Sequence, residues 1–180
     1  FKKVMKSDYV DNTLFVLVGD HGFSTPNQVT DIDMLKFHVP LLIIGPDVVK
    51  KYGHSNSTVG AQVDIAPTVA GLMGGDTTYS CWGRDLLNIN DAGFAVIKPS
   101  GSDPTTAIID DNKVLVKSTD NTASLYNYEL LPKASANTLH DAADTEKLDH
   151  LLDAYIESAT STLLRGKAGV KAPDNAVAVN

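Results

Sequence analysis

The chain has 180 residues, a 43% apolar share and a formal net charge of −7. That length can bury a sizeable core, and no apolar run approaches the about 20 residues a membrane-spanning helix needs. The acidic balance excludes a nucleic-acid binder, which needs clustered Lys and Arg, and a surface that clings to anionic lipid; the single Cys81 excludes an internal disulfide and a cysteine-based zinc site.

Phe1-Lys2-Lys3-Val4-Met5-Lys6 has the pattern of an amphipathic helix entered partway, without an initiator Met. It is expected to continue from a longer protein, the competing reading being a mature terminus exposed by processing. Asp11-Asn12-Thr13 reads as a turn into a strand. Leu14-Phe15-Val16-Leu17-Val18 is a continuous apolar run, the pattern of a central strand buried on both faces. It ends at Gly19-Asp20-His21-Gly22, where two glycines allow a sharp turn. Ligands of open α/β sheets bind at the carboxyl ends of strands. A carboxylate and an imidazole held there form a natural half-site for a divalent metal. The bland alternative is a polar turn whose Asp and His bond only to backbone.

Phe23 to Lys36 lacks a period and reads as a surface loop; its Asp31 and Asp33 alternate like cation ligands but lack the glycine and distal glutamate of a calcium loop. His38-Val39-Pro40 leads into a second buried strand, Leu41 to Ile44, closed by Gly45-Pro46. Lys50 to Gly60 reads as loop. Asp64 is placed to cap a helix to about Met73 with Pro67 in its first turn, Val63, Ile65, Val69, Leu72 and Met73 facing inward, and Gly74-Gly75 ending it. This alternation of strand and helix favours a parallel or mixed sheet.

From Gly93 the pattern changes to short runs at hairpin spacing: Phe94 to Ile97, Thr105 to Ile109, Val114 to Lys117 and Ser124 to Tyr128. Asp110-Asp111-Asn112 and Thr119-Asp120-Asn121 are the turns. Leu148, Leu151, Leu152, Tyr155, Ile156 and Leu163 repeat along one helical face that should dock on the sheet. Three regions are expected: an α/β portion over 1–92, a small antiparallel sheet plus helix over 93–165, and a flexible tail over 166–180.

Other polar residues carry two readings each. His38 comes off a neighbouring strand and is a substrate-binding candidate, against a structural histidine bonded to backbone. His54 sits in a loop that can reach over a substrate, against plain solvent exposure. Arg84 matches oxyanion geometry, against an ion pair with Asp85 or another acid. Trp82 reads as a packing anchor, and His140 and His150 as surface residues.

Five segments in order resemble the sulfatase branch of the alkaline-phosphatase superfamily: Leu14 to Gly22, His38 to Ile43, Gln62 to Thr68, Trp82-Gly83-Arg84-Asp85-Leu86-Leu87, and Ser124 to Glu129. The likeness spans residues 1 to about 165. It implies an α/β fold class: the carboxyl-terminal part of an alkaline-phosphatase-like sheet with flanking helices, plus a small antiparallel sheet and a terminal helix. The Asp-His pair and the Gly-Arg-Asp-Leu loop look most like the lipoteichoic-acid-synthase and phosphoglycerol-transferase group; phosphoethanolamine transferases share the Asp-His pair, whereas arylsulfatases more often place Asn or Gln after the aspartate.

The resemblance implies a metal-dependent phosphotransferase or hydrolase acting on phosphoglycerol-type phosphodiesters or sulfate esters. Asp20 and His21 would be metal ligands for Mn, Zn, Mg or Ca, and an upstream threonine, activated by the metal, would be the nucleophile. Thr13, Ser24 and Thr25 are the hydroxyls near the pair, and nothing in the pattern marks one as a nucleophile. No catalytic residue is therefore expected within this chain, which alone should be inactive and bind metal weakly or not at all. The resemblance further implies a bacterial cell-envelope location outside the cytoplasmic membrane, with membrane attachment only through upstream helices. Self-association through exposed sheet edges is expected of the isolated chain. The rival from another class is a non-catalytic binding or scaffold module.

Overall fold

Two runs of four apolar residues build the first sheet. Phe15–Val18 (β1) pairs with Leu41–Ile44 (β2), Phe15 opposite Ile44 and Val18 opposite Leu41. This computed structural model describes residues 1–24, 32–74, 78, 80–101, 104–128, 138–165 and 170–171. The pairing is antiparallel, where the alternation of strand and helix favours a parallel or mixed sheet. The chain leaves β1 and enters β2 at the same end of the pair, so it doubles back instead of crossing over. Nor is β1 buried on both faces. Among the described residues it pairs with β2 alone, and Leu17, Val18 and Leu42 are 40%, 42% and 49% exposed.

The amino end forms two 3₁₀ turns, Val4–Lys6 and Val10–Asn12, and Phe1 packs edge-on against Phe15 at 5.9 Å. Residues 25–31 of the expected loop, Asp31 included, lie outside the described residues. Beyond them Ile32 is buried and Met34–Lys36 is a 3₁₀ turn. Val48–Tyr52 is a short helix (α1) where mostly loop was expected, anchored by buried Val48.

Ile65–Met73 is the expected helix (α2), entered through a 3₁₀ turn at Gln62–Asp64. Its buried residues are Pro67 and Thr68, whereas Val63 and Met73 are exposed, which corrects the inward face drawn from hydropathy. Ser80–Cys81 (β3) follows, and then Ala95–Ile97 (β4), Thr106–Asp110 (β5), Lys113–Lys117 (β6), Ala123–Asn127 (β7) and Thr138–Leu139 (β8). The last five form one antiparallel sheet in chain order. The sequence pattern foresaw four of them; β8 is the addition, and it comes between β7 and the terminal helix. Asp111 and Asn121 take positive φ in the two turns, 52° and 65°, as Asp and Asn tolerate better than other side chains.

Register explains the core. Val96, Ile108, Leu115, Leu125 and Leu139 lie opposite one another across the five strands. Ala142–Leu164 (α3) sets Leu148 and Leu152 against this row, with Leu151 and Ile156 at its margin. Each such leucine contributes about 1.5–3 kcal/mol by leaving water. Leu163, placed on the same stripe by sequence, is 72% exposed near the end of the helix. Asp141 caps α3 by accepting from the Asp144 amide at 3.0 Å. Val170–Lys171 (β9) pairs with β3, and the remainder of the expected tail lies outside the described residues.

The chain divides into two units, one of residues 1–57 with 130–135 and a second of 58–129 with 136–180. The sequence reading had set the boundary at 92/93. Residues 58–92 group with the later sheet, to which the Arg84 guanidinium ties them by donating to the Phe94 carbonyl just before β4.

Candidate metal centre

Two backbone hydrogen bonds fix the turn that β1 delivers. The Gly19 amide donates to the Pro40 carbonyl at 3.2 Å, and the Gly22 amide to the Lys36 carbonyl at 2.9 Å. Asp20 and His21 span the gap between these anchors. Gly22 admits no side chain, since a Cβ would fall 2.0 Å from the Leu35 carbonyl oxygen and 2.9 Å from that of His38.

Within the span, the His21 amide donates to Asp20 Oδ1 at 2.9 Å. His21 Nδ1 lies 2.9 Å from the Gly22 carbonyl oxygen. A carbonyl only accepts, so Nδ1 carries a proton and, in the neutral ring, Nε2 keeps its lone pair. Nε2 lies 3.7 Å from Asp20 Oδ2, and the His21 and Asp20 side chains are 73% and 91% exposed. The bland reading is thus half of the picture. The backbone bonds use Oδ1 and Nδ1, not the Oδ2 and Nε2 that face each other.

These donors fit a divalent cation as two of its ligands. Ligand atoms about 2.0–2.2 Å from one tetrahedral ion sit about 3.4 Å apart, near the 3.7 Å found here. A carboxylate oxygen with an imidazole nitrogen suits Mn or Zn, while Mg and Ca prefer oxygen alone. Among the described residues no third His, Cys, Asp or Glu joins the pair, and a closed tetrahedral site takes about four ligands.

The remaining candidates fall differently. His38 is exposed, and its carbonyl lies against Gly22, in the segment that anchors the Asp20-His21 turn. His54 is exposed in the loop after α1. Thr13 donates its hydroxyl to the Tyr9 carbonyl at 2.6 Å, Ser24 is exposed and Thr25 lies outside the described residues. His140 is exposed, and His150 lies 3.9 Å from Glu146 on α3. The six lysines of residues 1–57 are matched by six aspartates, so the net −7 resides in residues 58–180. Residues 1–57, which hold Asp20, His21, His38 and His54, are therefore formally neutral and do not repel an anionic ester.

Arg84 belongs to the second unit, where it completes a lock that the sequence did not disclose. Asp64 is 1% exposed. Its carboxylate does not cap α2; Oδ2 accepts from the Ala61 amide and Oδ1 from the Arg84 amide, both at 2.7 Å. The Arg84 guanidinium stands 3.8 Å from Asp64 and 3.9 Å from Asp91, and lies over the Phe94 ring at 4.0 Å. Thr68 donates its hydroxyl to the Asp64 carbonyl and accepts from the Leu86 amide. Gly83 makes this possible, because a Cβ there would sit 1.9 Å from the Val63 carbonyl oxygen. Trp82 and Phe94 meet the Tyr155 ring edge-on, and burial pushes the Tyr155 phenol up, with Asp64 adding and Arg84 opposing. The signal in sequence was the pairing of an isolated Asp before one helix with a Gly-Arg after it.

Residues 1–75, which include the whole Asp20-His21 turn, match the sulfatase family model. That stretch is similar to the sulfatase family over 75 of the 180 residues. The chain is 27% identical over 111 residues to a lipoteichoic acid synthase-like protein of Bacillus subtilis (strain 168), a stretch covering 54% of this chain and 18% of the relative. It is 29% identical over 85 residues, 43% of this chain and 16% of the relative, to a multifunctional alkaline phosphatase superfamily protein of Trinickia caryophylli. A solved alkaline phosphatase superfamily protein from Vibrio parahaemolyticus shares the fold, with a TM-score of 0.68 at 21% identity over 94% of this chain and 40% of that one. The chain thus spans less than half the length of the relatives it matches. Mixed α/β architecture with antiparallel sheets and a long terminal helix agrees with the fold class expected from sequence. Among the described residues no helix is long and apolar enough to cross a membrane.

Proposed function

We propose that the chain supplies Asp20 and His21 as two ligands of a divalent-cation centre in an enzyme that transfers or hydrolyses phosphate or sulfate esters, phosphoglycerol-type phosphodiesters foremost. The observation that carries this reading is the facing of Asp20 Oδ2 and His21 Nε2 at 3.7 Å on a strand-end turn inside the sulfatase-matched region. A bound cation supplies positive charge at the developing oxyanion. Asp20 contributes the negative charge that neutralises the ion, and His21 a nitrogen whose tautomer is held by the Gly22 carbonyl. The exposed rings of His38 and His54 are proposed to meet the ester's anionic oxygens, and Arg84 is left to its lock with Asp64 and Asp91.

The lengths of the relatives support placing the nucleophile and remaining ligands outside this chain, and the lipoteichoic acid synthase-like name of one relative supports a cell-envelope setting. Residues 1–180 alone are then inactive and hold metal weakly. In the full-length protein, Mn²⁺ titration should show one site that Asp20→Ala and His21→Ala each abolish, with loss of phosphodiester turnover. Binding untouched by both substitutions would refute the assignment, and retained binding without turnover on any ester would favour a scaffold module. Turnover by purified 1–180, abolished by Asp20→Ala, would overturn the claim of inactivity.

A further inference from the structure

We propose that Gly22 is a positioning residue: together with the Lys36 carbonyl it presets His21 so that Nε2, not Nδ1, meets the cation. The proposal rests on the metal-site reading above and deepens it. The chain of contacts is short. The Lys36 carbonyl holds the Gly22 amide at 2.9 Å. That bond anchors Gly22 on its amide side, and the carbonyl oxygen on its other side lies 2.9 Å from His21 Nδ1. The same residue therefore donates one hydrogen bond and accepts one, and the accepted one sets the tautomer of His21 before any ion arrives.

The close approach works only with glycine. With Leu35 and His38 carbonyl oxygens 2.0 Å and 2.9 Å from where a Cβ would stand, any side chain must push residues 21–22 away from the 35–38 segment. Both obstacles are backbone atoms, which do not swing aside as a side-chain tip would. The displacement breaks the bond to Lys36 and moves the acceptor that holds Nδ1. Asp20 is affected less directly, because its Oδ1 is tied to the His21 amide and Gly19 keeps its own bond to Pro40. Gly22→Ala should thus damage the imidazole half of the pair more than the carboxylate half.

The test uses the intact full-length protein and Mn²⁺ alone, read by calorimetric titration, with long-range ¹H–¹⁵N spectra of its histidines in metal-free buffer. Gly22→Ala is expected to weaken Mn²⁺ binding by about 10–100-fold, the usual cost of losing a group that orients a ligand, with the far-ultraviolet circular dichroism unchanged. The wild-type spectra are expected to show His21 protonated on Nδ1. A lowered melting temperature with unchanged Mn²⁺ affinity would reduce Gly22 to a structural role and overturn the proposal. Should Gly22→Ala fail to fold, the wild-type tautomer decides: a proton on Nε2 would sink the idea. Asp20→Ala and His21→Ala tell the two levels apart. If they abolish binding and Gly22→Ala does not weaken it, only the positioning role fails; if neither affects binding, the metal site itself is wrong.

Discussion

Replacing Asp64 by alanine isolates the lock between the start of α2 and the loop that carries Arg84. The carboxylate is 1% exposed and accepts two amide hydrogen bonds of 2.7 Å, from Ala61 and Arg84. Each charge-assisted bond contributes about 1.5–3 kcal/mol. Removing the acceptor also leaves two amide donors without it and takes from Arg84 its buried counterion, although Asp91 stays 3.9 Å away. Against this stands the desolvation of Asp64 itself, which the substitution relieves. The net expectation is a loss of about 3–4 kcal/mol. Asp64→Asn keeps one oxygen acceptor and should lose about 1–2 kcal/mol. Equilibrium urea unfolding measures both, and at a slope of about 2 kcal/mol/M the alanine midpoint falls by about 1.5–2 M. A loss below about 1 kcal/mol for Asp64→Ala, or equal losses for the two variants, would refute a carboxylate held by two backbone amides.

Two further outcomes follow from surfaces and charges. Lysines of β6 hold α3: Lys113 bonds Asp144, and Lys117 lies 2.8 Å from both Asp149 and Asp153. The Lys113 bond holds Asp144 below its ordinary value of 3.8, so its contribution is present above that pH and is lost as pH falls through the lowered value. Lys113 is raised above 10.5 by Asp144, and Lys117 is raised as Asp149 and Asp153 outweigh its burial; their contributions are full below 10.5 and vanish as pH rises through the raised values. A pH series of melting curves should show a plateau between these limits, flattened in Lys117→Met at its alkaline edge; an alkaline edge identical to wild type would count against the clamp. Separately, Leu17 and Leu42 oppose each other on one face of the β1–β2 ribbon and are 40% and 49% exposed. Isolated 1–180 should self-associate in sedimentation experiments, and Leu17→Lys with Leu42→Lys should restore monomer; a clean wild-type monomer at high concentration would contradict this.

Much of the fold was legible because it rests on local signals. The runs from Ala95 to Asn127 alternate with turns that carry Asp and Asn, and hairpin pairing follows from that spacing. Asp20 and His21 stood out because an apolar strand ends in them. What failed were inferences about partners distant in sequence. Five apolar residues from Leu14 to Val18 imply a covering layer on each side, yet Leu17 and Val18 are exposed, since a hydropathy run records what a strand can bury and not which neighbours are present. Asp64 looked like a helix cap because capping is read from adjacent residues; its second amide partner is 20 positions away. Gly22 resembled an ordinary turn glycine, and only the carbonyls of residues 35 and 38 reveal its constraint.

The β4 to β8 sheet has a kinetic corollary. Every strand in it lies beside its predecessor along the chain, so assembly closes short loops one after another and meets small entropic barriers at each stage. Such a meander can zip up progressively from β4 and receive α3 as its final layer, following the direction of ribosomal synthesis.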